Sequence, residues 1–240
     1  MRQIFTSYPY IEPRVDSETA DIIRRAGRRL DVKAGEILKM PGALSHFYLV
    51  DEGVCGYFVA GQVFGHTRIM SLLLPGRTVA DLSVSTGRPC NIETRALTDV
   101  VAWACPAEFF QREVYPNPQF VERLYRLAVQ KHESTVEGMV ANFTLPPEQR
   151  LKIFFRLLTH DTPQQPEPGW FMVPYRLTAE TIGMVVNLTR SNVTRQLNAW
   201  REAGLARKEG VDWVLSDALF SDIYDWRESE TDVLGSTKVA

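Results

Sequence analysis

Two arginines and two hydroxyl side chains lie close together in a segment whose apolar residues recur at helical spacing. At 100° per residue they share one face of a helix, which carries Arg190, Ser191, Thr194 and Arg195. The opposite face carries Val193, Leu197 and Trp200. An exposed arginine can donate to both acceptors of a guanine in the major groove of DNA. The pattern predicts a short helix that packs by its back and contacts bases with its front.

Capping and turn residues precede this helix. Thr178 is a candidate N-cap for a first helix and Thr189 for the second. Asn187 tolerates the positive φ that a short interhelical turn needs, and Gly183 allows two helices to cross closely. Together these residues predict a helix-turn-helix. The alternative interpretation is a solvated amphipathic helix without a binding role.

Downstream of the helix, Arg207 and Lys208 precede an apolar run and predict a β-hairpin wing beside the DNA backbone. Residues 176–210 contain six basic and three acidic side chains, so this segment is locally positive although the whole chain has a net charge of −2. The candidate DNA-binding residues are Thr178, Thr189, Arg190, Ser191, Asn192, Thr194, Arg195 and Lys208.

The elements that must position this helix differ between the two halves of the chain. Residues 17–30 repeat apolar residues at helical spacing and predict a helix. Between Val32 and Cys105, short β-rich runs alternate with glycine and proline turns, which predicts an antiparallel barrel or sandwich with an inner pocket. Residues 106–143 predict a long helix with more apolar surface than one barrel can cover, so we expect it to form a dimer through residues 118–143. Leu145-Pro146-Pro147 ends that helix, and residues 148–160 predict another.

Composition excludes several classes of protein. The 240 residues include three cysteines without C-x-x-C spacing, so neither a disulfide framework nor a cysteine-only zinc site is expected. No apolar run is long enough to span a bilayer, and the N-terminus lacks the apolar core of a signal peptide, so we expect a cytoplasmic chain without membrane contact. No catalytic motif or metal-ligand cluster is present, and GHTR has one histidine where a cupin site needs two, so no enzyme activity is expected.

From about Leu30 to Leu215 the chain resembles the cyclic-AMP receptor protein / fumarate-nitrate regulator (CRP/FNR) family of bacterial transcription factors. The matching stretches are VKAGEILKMPG, FYLVDEGVCGYF, PGRTVADLSVSTGRPCNIETRAL and LTAETIGMVVNLTRSNVTRQLNAW. They are similar, in this order, to the family's first barrel turn, its next two strands, its ligand cassette and its winged helix-turn-helix. The resemblance implies an α+β chain: an N-terminal antiparallel β-roll of the cyclic-nucleotide-binding, jelly-roll type, a long dimerisation helix and a C-terminal winged helix-turn-helix.

We therefore expect four segments with different roles. Residues 1–116 form the β-roll that senses an effector and 117–144 the dimerisation helix. Residues 145–228 form the DNA-binding domain, and 229–240 a disordered tail. The resemblance further implies a homodimer on a palindromic promoter site, with RNA polymerase as a protein partner and a small-molecule effector in the β-roll.

The ligand cassette departs from the family pattern. Members that bind cyclic nucleotides carry Gly-Glu-Leu for the ribose and Arg-Ser for the phosphate, where this chain has Ala80-Asp81-Leu82 and Cys90-Asn91. A phosphate without a cationic partner would be desolvated at a cost, so cyclic AMP is not the expected effector. The candidate effector-binding residues are Asp81, Leu82, Ser83, Arg88, Cys90, Asn91, Lys131, Ser134 and Thr135.

Other effectors and roles stay open at this point. An aromatic or organic-acid effector is one interpretation, and a pocket for it could be lined by Tyr48, Tyr57, Phe58 and Phe64. No cysteine precedes Cys55, so an N-terminal iron–sulfur cluster is not expected. A haem-based gas sensor would need a ligand among His46, His66, His132 and His160. Cys90 is interpreted as a buried small hydrophobe rather than a redox sensor. The alternative to DNA binding is a ligand-sensing barrel that acts through protein partners.

Overall fold

A computed structural model describes residues 4–5, 7–59 and 68–223. Its contacts divide the chain into two compact units, Ile11–Thr135 and Met1–Tyr10 with Val136–Ala240. Phe64, His66 and the tail expected at 229–240 lie outside the described residues. None of the described helices is long and apolar enough to cross a membrane.

The unit Ile11–Thr135 contains two four-stranded antiparallel sheets. Its strands are β1 Arg28–Val32, β2 Ile37–Lys39, β3 His46–Glu52, β4 Cys55–Val59, β5 Ile69–Leu73, β6 Arg77–Val79, β7 Ile92–Ala96 and β8 Val100–Pro106. One sheet has the strand order β1-β8-β3-β6 and the other β2-β7-β4-β5. Fully buried side chains from both sheets, such as Phe47, Leu49, Leu73 and Ala102, form one apolar core. The predicted antiparallel β-roll is confirmed.

Short helices close this unit, and the first is shorter than predicted. Helix α1 covers Ser17–Ala26, with Asp16 as its N-cap, and β1 begins at Arg28. The helix stops at Gly27 because the chain passes against β8 there: a Cβ on Gly27 would lie 3.1 Å from the carbonyl oxygen of Ala104. The remaining helical segments before residue 117 are α2 Asp81–Thr86, α3 Ala107–Phe109 and a π-helical turn Phe110–Val114.

The longest helix is α4, Pro118–Thr144, which begins in the first unit and ends in the second. Helix α5, Pro147–Asp161, starts with proline at its first position, so the predicted break at Leu145-Pro146-Pro147 is confirmed. Several large apolar side chains of α4 face solvent, and Tyr125 and Phe143 are 69% and 81% exposed.

After α5 the second unit has the predicted helix-turn-helix and wing. The elements are β9 Trp170–Met172, α6 Ala179–Val186, α7 Arg190–Glu202, β10 Ala206–Glu209, β11 Asp212–Ser216 and a 3-10 turn Asp217–Phe220. The antiparallel sheet has the order β10-β11-β9, so the predicted hairpin gains a third strand that the sequence did not indicate. The core beneath α7 includes Leu151, Phe154 and Phe155 of α5 with Val193 and Trp200.

Candidate functional site

Side-chain caps fix the first turns of both α6 and α7. Thr178 Oγ1 accepts a hydrogen bond of 3.0 Å from the backbone N–H of Thr181, and Thr189 Oγ1 accepts one of 3.2 Å from that of Asn192. Asn187 ends α6 in the left-handed region at φ 54° and ψ 51°. The sequence-predicted caps and turn residue are therefore confirmed as structural features, and they satisfy backbone groups at the helix ends.

Gly183 allows the turn to fold back closely on α6. The N–H of Leu188 donates to the Gly183 carbonyl oxygen at 2.9 Å, and a Cβ on Gly183 would lie 2.5 Å from the Leu188 carbonyl oxygen. The close approach is therefore to the backbone of the turn rather than to a second helix. Any side chain at this position would push the turn away.

The outer face of α7 is an open groove of polar and charged side chains. Its residues are Arg190, Ser191, Thr194, Arg195, Asn198, Ala199 and Glu202. Among the described residues, the Arg190 guanidinium has no hydrogen bond or ion pair, and Arg195 donates only to the side chain of Asn192, at 2.8 Å. By contrast, Arg176 and Arg207 of the neighbouring segments pair with carboxylates. Arg190 and Arg195 are thus free to bind a partner.

The hairpin wing holds its two basic residues differently. Arg207 pairs with Glu167 and Glu209 and lies over the ring of Trp170, so it stabilises the three-stranded sheet. Lys208 is exposed, with Nζ 4.3 Å from the centre of the Trp213 ring. Its ammonium donates to the Val211 carbonyl oxygen at 2.9 Å. Lys208 therefore presents a charge at the tip of the hairpin.

A cavity of about 290 Å³ lies within the unit Ile11–Thr135. Six of the nine candidate effector-binding residues line it: Asp81, Leu82, Ser83, Cys90, Lys131 and Thr135. The other wall residues are Glu12, Lys39, Tyr57, Met70, Ser71, Ala80, Ile92, Thr94, Ala128 and His132.

Three expected effector residues do not line this cavity. Arg88 and Asn91 are exposed. Ser134 is buried, but its hydroxyl donates to the Ile11 carbonyl oxygen at 2.8 Å. These three residues were expected from the resemblance to the family's ligand cassette and long helix, and none of them is a wall residue of this cavity.

Of the aromatic residues and the histidines that the sequence offered as pocket residues, one of each kind lines the cavity in the described part of the chain. Tyr57 lines the cavity and donates to the Thr78 carbonyl oxygen at 3.2 Å, whereas Tyr48 and Phe58 are not wall residues. His132 lines the cavity, while His46 and His160 lie elsewhere, beside Ser45 and Tyr8. In the part of the chain that the structure describes, no group of three or more potential metal-binding side chains is brought together.

Lys131 is the centre of the polar network in the cavity. Its ammonium donates to Asp81 Oδ1 at 2.7 Å and to the Thr78 carbonyl oxygen at 2.9 Å, and lies 3.8 Å from Glu12 Oε2. All three charged side chains are about 95% buried. One buried cation therefore faces two buried carboxyls, Glu12 and Asp81.

Glu12 is a functional candidate that sequence reasoning missed. It accepts a hydrogen bond of 2.6 Å from Ser71 in addition to its contact with Lys131. Burial raises the pKa of Glu12 above its usual value, although the Lys131 charge opposes this. Its sequence neighbourhood, a short run before α1, has no periodicity that would have placed it in the cavity.

Cys90 differs from the buried hydrophobe expected from the sequence. It is partly exposed, and Sγ lies 3.1 Å from the Ser83 hydroxyl and 3.6 Å from the Lys39 ammonium. Burial alone would raise the pKa of this thiol. Hydrogen bonds from Ser83 and the Ile92 backbone, together with the Lys39 charge, outweigh it and lower the pKa. These polar neighbours could not be read from the sequence because they come from α2 and β2.

Comparison with known proteins gives three kinds of similarity. The family model for the cyclic nucleotide-binding domain matches residues 29–114. A CRP-like cAMP-activated global transcriptional regulator of Mycobacterium tuberculosis is 23% identical over 155 residues, which cover 64% of this chain and 68% of that protein. FixK2 from Bradyrhizobium japonicum is 14% identical with a TM-score of 0.68, covering 85% of this chain and 96% of that chain.

Two further structures share the fold. The c-di-GMP-responsive global regulator CLP of Xanthomonas campestris is 15% identical with a TM-score of 0.67, covering 84% of this chain and 99% of that one. A CRP/FNR-family transcriptional regulator from Thermus thermophilus is 18% identical with a TM-score of 0.61, covering 85% of this chain and 97% of that one. These structural likenesses bear on the fold, while the sequence relatives are described as transcriptional regulators. Residues 29–114 match the cyclic nucleotide-binding domain family, and the chain is similar in sequence to a CRP-like transcriptional regulator.

Proposed function

We propose that this protein is an effector-responsive transcriptional regulator that binds a palindromic promoter site as a homodimer. The observation that carries the proposal is the outer face of α7, where Arg190 and Arg195 are exposed and unpaired with carboxylates in the described structure. An unpaired guanidinium on the first turns of an exposed helix suits the edge of a guanine. The remaining wing and cap residues are suited to the DNA backbone.

We assign the base contacts and the phosphate contacts to different residues. Arg190 and Arg195 are assigned to bases. The Thr194 hydroxyl donates to the Arg190 carbonyl oxygen at 3.0 Å, which leaves its methyl group available to a thymine. Thr178, Thr189, Ser191 and Asn192 lie at the helix starts, where hydroxyls, amides and backbone N–H groups can meet phosphates, and Lys208 adds a charge from the wing.

A second copy of the chain is the proposed occupant of the exposed face of α4. Val121, Tyr125 and Val129 are spaced by four residues and are all exposed, so they form an apolar stripe along one side of the helix. Met139 and Phe143 repeat the same spacing near its end and are also exposed. An antiparallel or parallel partner helix would cover these side chains and remove their apolar surface from water.

The cavity and the proposed dimer helix share residues. Ala128, Lys131, His132 and Thr135 of α4 line the cavity wall, and His132 is also exposed. A ligand that competes for the Lys131 ammonium would change the contacts of α4 and so shift the equilibrium between arrangements of the dimer. We retain residues 1–116, 117–144 and 145–228 as the sensing, dimerising and DNA-binding segments, and place the protein in the cytoplasm with RNA polymerase as a partner.

We infer that the effector is a small molecule other than cyclic AMP, although the Mycobacterium tuberculosis relative is described as cAMP-activated. The wall contains no arginine among the described residues, and its carboxyls Glu12 and Asp81 would repel a phosphate. Lys131 is already paired with Asp81, and Lys39, the other ammonium of the wall, already donates to the carbonyl oxygens of Met40 and Ile92. Isothermal calorimetry of the full chain with cyclic AMP should show no binding in the micromolar range, and such binding would overturn this part of the proposal.

Binding-site selection from random duplex DNA with the purified chain tests DNA recognition. We expect enrichment of one two-fold symmetric sequence, and an affinity that falls steeply with salt. The Arg190→Ala/Arg195→Ala variant should lose the enriched sequence. Arg112→Ala, which removes an exposed charge paired with Glu113 outside the second unit, should keep it. If the wild-type chain enriches no sequence, DNA recognition is wrong and the alternative of a sensing barrel that acts through protein partners takes its place.

A further inference from the structure

Cys90 lies in the cavity wall, with the Ser83 hydroxyl and the Lys39 ammonium beside its sulfur. We propose that Cys90 is the nucleophile of a covalent binding site for small α,β-unsaturated carbonyl compounds. Electrophiles of this class would then be effectors of the proposed regulator, and this consequence rests on the proposed function, whereas the covalent reaction does not.

Two donors reach the sulfur from different elements. The Ser83 hydroxyl of α2 lies 3.1 Å from Sγ, and the Lys39 ammonium of β2 lies 3.6 Å from it. The pKa of Cys90 is lowered because these contacts and the Ile92 backbone outweigh burial. The thiolate is the reactive form of cysteine, so the same contacts raise the nucleophile's population at neutral pH.

Lys39 has an unbalanced charge in the described structure. Its side chain is buried, with 3% of the residue exposed, and donates to the carbonyl oxygens of Met40 and Ile92 at 3.2 and 3.1 Å. No carboxylate of the described residues forms an ion pair with it. A buried ammonium is costly without a counter-charge, which the Cys90 thiolate and, after reaction, a ligand oxyanion would supply.

Thr94 supplies an independent sign that the cavity takes a polar ligand atom. This residue of β7 is fully buried and lines the cavity, and its hydroxyl has no hydrogen-bond partner in the described part of the chain. Native structures rarely leave such a group unsatisfied. Met70, Ile92 and Ala128 make much of the surrounding wall apolar, so a ligand with a short carbon skeleton and one carbonyl group fits its chemistry.

The reaction balances with the groups present. The thiolate lone pair forms a C–S bond to the β-carbon, and the C=C π electrons move onto the carbonyl oxygen as an enolate. The Lys39 ammonium and the Thr94 hydroxyl stabilise that oxygen, and a proton from water reaches the α-carbon. The product is a thioether, and no oxidant or reductant is needed.

A disulfide switch fits the structure less well than a carbon electrophile. The other two cysteines, Cys55 and Cys105, are buried, and neither lines the cavity. Burial raises the pKa of both thiols to about 12. Neither is therefore placed or activated to resolve an oxidised Cys90.

Intact-mass and peptide mass spectrometry of the full chain treated with methyl vinyl ketone test the proposal. We expect a single adduct on Cys90, formed at pH 7 about tenfold faster than on glutathione, and with a pH midpoint below the free-thiol value of about 8.5. Cys55 and Cys105 serve as internal controls. A rate equal to that of glutathione, or an adduct placed first on another cysteine, would overturn the proposal.

Two variants separate the roles of the neighbours. Ser83→Ala should raise the pH midpoint of alkylation by iodoacetamide without changing the circular dichroism spectrum. Thr94→Val should leave the iodoacetamide rate unchanged but slow the reaction with methyl vinyl ketone, because only the ketone presents a carbonyl oxygen that becomes an enolate in the reaction. If both variants react like the wild type with both reagents, the site does not exist as described.

The effect of the adduct on DNA binding is measured separately from adduct formation. Affinity for the selected DNA sequence should change on treatment with methyl vinyl ketone in the wild type and stay constant in Cys90→Ser. A chain that enriches no DNA sequence contradicts the proposed function while the adduct result stands. A chain that binds DNA but forms no Cys90 adduct contradicts only the covalent site.

Discussion

The ammonium of Lys131 lies 2.7 Å from the Asp81 carboxylate, and both side chains are 95% buried. This contact joins the long helix α4 to the short helix α2 within the unit Ile11–Thr135. Glu12 approaches the same ammonium at 3.8 Å, so one positive charge balances two acidic groups in the cavity wall. Removing the cation would leave Asp81 without its ion-pair partner and would leave Glu12 with the buried Arg77 as a cationic neighbour.

Lys131→Met should destabilise the protein by about 3–5 kcal/mol, the usual cost of leaving a buried charge unpaired. Urea unfolding followed by circular dichroism measures this change. The double variant Lys131→Met/Asp81→Leu should recover a large part of the loss, because the orphaned carboxylate is removed with its partner. A double variant as unstable as the sum of the two single variants would show that the pair is not coupled.

Glu12 should contribute a decrease in the free energy of unfolding as the pH rises above its ordinary pKa of 4.5. Burial raises the pKa of Glu12 in the folded state above its ordinary value of 4.5. Between the unfolded and folded pKa values the folded chain binds more protons than the unfolded chain, so raising the pH favours unfolding. Glu12→Gln should reduce this slope, as measured by urea unfolding at several pH values. Parallel curves for the two proteins would contradict the assignment.

Two helical glycines of the second unit should respond oppositely to alanine. At Gly183 a Cβ would lie 2.5 Å from the Leu188 carbonyl oxygen, so Gly183→Ala should destabilise the protein by about 1–3 kcal/mol. At Gly138 the nearest atom would lie at 3.5 Å, an ordinary contact, so Gly138→Ala should stabilise it by about 0.5–1 kcal/mol. Thermal unfolding of both variants provides the comparison, and equal shifts would refute the turn geometry.

Local patterns made the helix-turn-helix predictable. Thr178, Asn187 and Thr189 act on backbone groups within a few residues of themselves, so their types and spacing already specify the caps and the turn. The alternating sheets and the break before α5 were predictable for the same reason. Strand β9 was not, because its pairing with β11 spans more than 40 residues and its three residues have no recognisable period.

The wall residues of the cavity were predictable only in the segments that the family resemblance covers. That resemblance pointed to the segment around Asp81 and Cys90, and to Lys131 on α4, all of which line the wall. Glu12 and Lys39 come from a short N-terminal segment and a three-residue strand, and they enter the cavity through long-range packing. The closing of α1 at Gly27 likewise depends on β8, which lies about 75 residues later in the sequence.

Tyr125→Glu should dissociate the proposed dimer. Tyr125 is 69% exposed on α4, within the apolar stripe of Val121, Tyr125 and Val129, and a buried carboxylate from each copy would have no partner there. Light scattering should give twice the chain mass for the wild type and a monomer mass for the variant at micromolar concentration. Gln130→Glu adds the same charge at an exposed position about 140° around the helix and should remain dimeric. A monomeric wild type, unchanged by DNA, would contradict the dimer.

The last prediction concerns which bases the outer face of α7 reads. Many CRP/FNR regulators carry glutamate directly after the first recognition arginine, where its carboxylate accepts from a cytosine amino group. This chain has Ser191, whose exposed hydroxyl lies 3.0 Å from that of Thr189 and is too short for the same contact. Guanine contacts by Arg190 and Arg195 should therefore persist, while the position read by the missing glutamate should be relaxed or altered.

Binding-site selection on four proteins tests this assignment. Arg195→Ala should cost about 1–3 kcal/mol and relax one base position. Ser191→Glu should sharpen or change a neighbouring position. Lys208→Ala should weaken binding to all sequences alike and lower the salt slope by about one, as expected of a phosphate contact. If all four proteins, wild type included, select the same half-site with the same stringency, α7 is not the helix that reads DNA.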